Sequence, residues 1–126
     1  MVDPENDLGT VKIADEVVAI IAGLAATEVL GVAGMSGGLA GGIAEILGRK
    51  NLTKGVKVEV GEKQAAIDLF LIVEYGVKIP EVAWHVQENV KKAIESMTGL
   101  DVIEVNIHIQ GVKIAGDEKE EETRVK

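Results

Sequence analysis

The chain has 126 residues, 21 acidic against 13 basic side chains, a net charge of -8 and no cysteine. That length suits one domain able to bury a core without covalent staples, and the absence of cysteine excludes disulfide scaffolds and cysteine-based zinc sites. Sustained nucleic-acid binding is disfavoured, because neutralising phosphates requires a clustered cationic surface.

Residues 1–9, MVDPENDLG, are acidic and interrupted by proline, whereas a secretory signal would begin basic and run into an apolar stretch. They read as a flexible acidic segment. Residues 116–126, GDEKEEETRVK, hold five acids, three bases and one large apolar residue, Val125. Such a stretch buries too little to offset its ordering entropy and reads as a disordered tail. A single domain is expected over 10–115, where 13 acids face 10 bases, so much of the acidity lies in the ends. The longest charge-free window, 29–44, is sixteen residues with six glycines, short of the ~18–20 apolar residues that cross a bilayer. No membrane span is expected.

In chain order, residues 10–13 (TVKI) alternate like a short strand. Asp15 is placed to cap a helix that runs to Leu30 and stops at Gly31, with Val17, Ile20, Ile21 and Leu24 on one stripe at helical spacing. Val32 and Ala33 return as a brief strand. Residues 34–55 form a glycine-rich insertion with seven of the fifteen glycines, and 43–47 suit a short helical piece. Segments 56–60 and 66–74 alternate around a turn at 61–64, which predicts an antiparallel hairpin. On the second strand Ile67, Leu69, Leu71 and Val73 share one face, and Asp68, Phe70, Ile72 and Glu74 the other. Pro80 opens a second helix that ends at Thr98 before Gly99. Its apolar face carries Val82, Val86, Val90, Ala93, Ile94 and Met97. The last strand, 102–109, turns Ile103, Val105, Ile107 and Ile109 inward and Glu104, Asn106 and His108 outward. Strands with one apolar and one polar face predict a sheet covered on one side. The fold class is α+β: two layers, a mainly antiparallel sheet with two amphipathic helices on one face, and a glycine-rich insertion.

Motifs that carry chemistry are weak. Residues 34–38 read G-x-S-x-G around Ser36, but the nucleophile elbow needs a strand-to-helix turn on a parallel sheet and later acid and His partners. Residues 38–41 read GXXG, the loop with which KH modules clamp nucleic acid, without the positive surroundings such a loop needs. Glycine backbones also form anion nests, and Arg49 and Lys50 lie close by, so these two are the candidate anion-binding residues. His85 and His108 fall on different elements, and the acids near His108 on the outer sheet face have no fixed ligand geometry. No catalytic, cofactor-binding or metal-binding residue is expected. Glu28 falls on the apolar arc of the first helix, where a cation such as Lys54 or Arg49, or fraying of the helix end, would account for it.

Apolar residues are left over. Trp84 falls on the polar side of the second helix among Glu88, Lys91 and Glu95, and an indole there requires cover from the glycine-rich segment, another subunit or a partner. Phe70 and Ile72 make a second apolar spot on the outer sheet face, and Leu39, Ile43, Ile46 and Leu47 add more in the insertion. These seven are the candidate partner-binding residues.

At Gly31-Val32-Ala33-Gly34-Met35, Gly48-Arg49-Lys50-Asn51 and above all Tyr75-Gly76-Val77-Lys78-Ile79-Pro80-Glu81-Val82-Ala83-Trp84, the chain resembles the alkaline-shock, or envelope stress response, protein family of Gram-positive bacteria. Val86-Gln87-Glu88-Asn89-Val90 and Val105-Asn106-Ile107-His108-Ile109 fit the same family, and the resemblance covers about residues 8–113. It implies a small cytoplasmic protein without catalytic residues or a required cofactor, tied to cell-envelope homeostasis and held near the membrane by a partner that supplies the anchor. It also implies a link to enzymes of fatty-acid precursor synthesis, beside which some members are encoded. The expected function is a non-enzymatic adaptor or scaffold that works by self-association, as a homo-oligomer, or by binding a protein partner such as a membrane anchor or a lipid-precursor enzyme. The alternatives are a regulator of membrane-lipid precursor synthesis that senses an anionic metabolite through Arg49 and Lys50, and a KH-like RNA binder.

Overall fold

The computed structural model describes residues 8–37 and 53–114. Their elements, in order, are α1 (Asp15–Thr27), β1 (Val32–Met35), β2 (Val56–Val60), β3 (Gln64–Glu74), α2 (Ile79–Thr98) and β4 (Asp101–Lys113). The architecture is α+β, with both helices on one face of a four-stranded sheet.

β3 is the axis of the sheet. Its strict alternation places Ile67, Leu69, Leu71 and Val73 on the inner face, all fully shielded from water. β1 and β2 lie end to end along one edge of β3, both antiparallel to it, β1 against residues 71–73 and β2 against 65–69. Phe70 sits at the gap between them: its N–H donates to Gly55 O (2.8 Å) and its C=O accepts from Ser36 N–H (2.7 Å). β4 takes the other edge and runs parallel to β3. Parallel neighbours need a crossover, and α2 supplies it. The sheet is therefore mainly antiparallel with one parallel pair.

α1 lies over β1 and β2, α2 lies over β4, and the two helices pack on each other. Val18, Ala22 and Ala26 from α1 and Val86, Val90 and Ile94 from α2 meet the inner row of β3, all fully buried. Each fully buried Val, Leu or Ile contributes about 1.5–3 kcal/mol by leaving water. α2 carries Pro80 in its first turn and ends at Gly99, whose φ of 78° is the left-handed cap that lets its N–H reach Glu95 O at 2.9 Å.

Several local expectations change. Met97, expected on the apolar face of α2, is 69% exposed at the end of that helix. Residues 10–13 are irregular rather than a strand. Asp15 is the first residue within α1, Ala14 holds the capping position without a side-chain cap, and Leu30 lies beyond the helix end. The buried stripe of α1 is rotated: Val17 and Leu24 are about half exposed, while Ala22, Ala25 and Ala26 face inward. α1 has no charge between Glu16 and Glu28, so spacing alone selects no face, and the small alanines allow α2 the closest approach. On β4 the register slips between Ala65 and Ala66, leaving Ile103 as the extra residue of a bulge. Ile103 is consequently 56% exposed, and Val102 takes the inward position.

Candidate functional site

The solvent face of α2 is built from the sequence upward by one helical row. Gln87, Lys91 and Glu95 stand four residues apart and point at the outer edge of β4. Gln87 Nε2 donates to Val105 O (2.9 Å), Lys91 Nζ donates to Val102 O (3.0 Å), and Glu95 Oε2 accepts from Val102 N–H (3.0 Å). Lys91 and Glu95 also pair with each other at 2.9 Å. That hydrogen bond, helped by the Val102 N–H, holds the Glu95 carboxyl below the ordinary glutamate value, and the same bond holds the Lys91 ammonium above the ordinary lysine value. The spacing of the row was visible in the sequence only as a charged helix face; its task depends on β4 lying alongside.

Trp84, one turn before Gln87, is 53% exposed. Its ring meets His85 edge-on, with centroids 5.1 Å apart and planes at 69°. Tyr75 and Ile79 are exposed at the same end of α2. Further along, a groove of about 760 Å³ separates the end of α1 from α2, lined by Glu28, Leu30, His85, Glu88, Asn89 and Lys92 among others. Within it Asn89 Nδ2 donates to Ala25 O (2.8 Å), closing the last turn of α1, and lies 3.5 Å from Glu28 Oε1. Glu28 is the C-cap residue of α1, and among the described residues Asn89 rather than a cation faces it, while Arg49 lies outside them.

On the outer sheet face, Phe70 and His108 stack with centroids 4.4 Å apart and planes at 12°. Lys57 Nζ lies 5.5 Å from the Phe70 ring centroid, and His108 Nε2 donates to Asp68 Oδ1 at 3.2 Å. Phe70 thus has His108 on one side and Lys57 on the other, and Ile72 beside it is half-buried. Ser36 follows the antiparallel strand β1, with β3 and Phe70 between it and His108, so it forms no nucleophile elbow with the Asp68–His108 pair. Among the described residues no group of three or more His, Asp or Glu is placed to hold a metal ion. Leu39, Ile43, Ile46, Leu47, Arg49, Lys50 and the GXXG stretch at 38–41 lie outside the described residues.

These features define the class: a small two-layer α+β domain whose polar side chains are tied to each other and to backbone, with an indole half open on its outer helix. Among the described residues no helix is long and apolar enough to cross a membrane. Residues 3–114 match the alkaline-shock protein 23 family, described as having a cell envelope-related function. The chain belongs to that family. It is 45% identical to YqhY of Bacillus subtilis (strain 168) over 121 residues, covering 96% of this chain and 88% of that protein. To YloU of the same organism it is 42% identical over 108 residues, covering 84% and 90%. A stress response regulator gls24 homolog of Streptococcus pyogenes serotype M3 (strain MGAS315) is 36% identical over 100 residues, 79% of this chain and 56% of that protein. No solved structure matches the chain.

Proposed function

We propose that this chain is a non-enzymatic adaptor of the cell-envelope stress response, acting by self-association or by binding a protein partner near the membrane. The family's envelope-related function and the relatives named as stress response regulators support the setting. The observation that carries the mechanism is Trp84, 53% exposed on the solvent side of α2. Aromatic side chains in that position anchor interfaces because they bury large area at low entropic cost. Tyr75 and Ile79 extend the apolar ground around it.

Co-purification from native cells, with and without cross-linking, tests the reading. The unsubstituted chain is expected to recover a defined envelope-associated protein or further copies of itself, and Trp84→Ala to recover much less while keeping its fold. A chain that stays monomeric at high concentration and recovers nothing overturns it, as does Trp84→Ala recovering the same set in the same amount.

A further inference from the structure

We propose that the outer edge of β4 at Ile107 and Ile109 receives the same edge of a second copy, antiparallel, so that one sheet runs through two protomers. The inference rests on the self-association branch of the adaptor reading and commits it to a strand edge and a register. Side chains and backbone groups alternate together along a strand. Val102 and Val105 point their side chains inward and present backbone groups to α2 rather than to β3. With no slip between Glu104 and Ile109, Ile107 and Ile109 direct their N–H and C=O groups to the same outer side. Among the described residues no hydrogen bond reaches those groups.

The helix explains why the edge is closed at one end and open at the other. Lys91 and Glu95 satisfy the C=O and N–H of Val102, and Gln87 satisfies the C=O of Val105, but the next position up the row is Ala83, which has no polar group to offer. Trp84 stands beside Ala83 at the level where the guard stops. Unpaired edges of this kind are templates for strand addition. Beyond Ile109 the register slips again, at Gln110, so the open stretch is short and bounded on both sides.

That stretch is self-complementary. Antiparallel pairing about His108 sets Ile107 against Ile109 of the second copy, and the two couples use the four N–H and four C=O groups of these isoleucines in four hydrogen bonds. On the inner side isoleucine meets isoleucine, and on the outer side Asn106 faces Gln110, amide to amide. Glu104 falls opposite Val112, so no like-charged carboxylates or lysines are brought together. Four hydrogen bonds and a narrow seam make a small interface, and small interfaces associate weakly. The dimer is expected to depend on concentration.

The chain has no cysteine, so a single introduced one reports the register. In the proposed pairing His108 opposes its own copy in a non-hydrogen-bonded site, with Cα atoms about 4.5 Å apart, inside the range of ~4.4–6.8 Å that a disulfide spans. The two copies of Asn106 are four residues out of register, about 14 Å apart at ~3.4 Å per residue. Under mild oxidation His108→Cys is expected to form a disulfide dimer rapidly, and Asn106→Cys slowly or not at all. Amide exchange in the unsubstituted chain provides the check that needs no variant: Ile107 and Ile109 gain protection as concentration rises, and Ala83→Gln abolishes the gain by extending the guard. Equal cross-linking of the two cysteine variants, or exchange at Ile107 and Ile109 that ignores concentration, overturns the proposal. So does a head-to-tail filament that pairs β4 with β2, which brings no two His108 positions together. A chain that fails these tests yet captures a partner through Trp84 removes the edge pairing and leaves the adaptor reading standing.

Discussion

Gly31 joins α1 to β1 with φ of 101°, and its C=O accepts the Glu74 N–H at 2.9 Å, tying the corner to the end of β3. A Cβ added there would lie 2.8 Å from Val82 Cγ2 and 3.4 Å from Val77 Cγ1. Val82 is buried in the first turn of α2, two residues before Trp84, so the corner also sets where the indole stands. Gly31→Ala therefore carries two costs. An L-residue in left-handed backbone costs about 1–2 kcal/mol, and forcing a methyl into a packed site costs about 1–3 kcal/mol, giving roughly 2–5 kcal/mol in all. Gly99→Ala isolates the first cost, because Gly99 has φ of 78° and nothing within 4 Å of an added Cβ. Urea titration followed by far-UV circular dichroism should place Gly31→Ala below Gly99→Ala by about 1–3 kcal/mol, the overpacking share. Removing Cγ2 with Val82→Ala should make the double variant more stable than the sum of the two single losses predicts. If the two glycine variants agree within about 0.5 kcal/mol, the size expected of additive, uncoupled effects, or if Val82→Ala shows no coupling to Gly31→Ala, the corner is not packed as described.

Asn89→Ala removes the amide that closes α1 on Ala25 O. Leaving that carbonyl without its donor should cost about 1–2 kcal/mol, read as a lower urea midpoint, whereas Asn89→Asp, which cannot donate, should do no better than Asn89→Ala. The Lys91–Glu95 pair sets a pH dependence whose sign follows from its two shifts. Stabilisation by Glu95 is fully present above the ordinary value of 4.5 and lost as pH falls through its lowered folded value, so Glu95→Gln should unfold at lower temperature than the parent at pH 7, and the gap should narrow as pH falls below 4.5. Lys91 behaves oppositely: its share is fully present below 10.5 and lost as pH rises through the raised folded value, so Lys91→Met should be less stable than the parent at pH 7 and the gap should narrow in strong alkali.

What the sequence made legible is what local period controls. β3 alternates strictly, and its four inward residues were placed correctly because period two leaves no other face to bury. α2 was readable for the same reason, with charges on one side, valines on the other and Gly99 at its end. α1 was not, because its side chains are apolar nearly all round and only the approach of α2 decides which of them are covered. Ile103 followed the inward pattern by position, and a bulge that exists only through pairing with β3 turned it out. The split edge at Phe70 likewise depends on two strands that meet a third from opposite sides of an insertion. Gln87, Lys91 and Glu95 show the limit most clearly. As a helix face they read as solvated charge, as Trp84 beside them reads as a stray indole. Once β4 is known to lie beside α2, the same row marks where a strand edge is closed, and Ala83, which composition would never single out, marks where it opens. An edge half guarded by its own helix is open to one more strand over a fixed length, and that length, rather than the apolar residues around it, is what selects the register of any copy that joins.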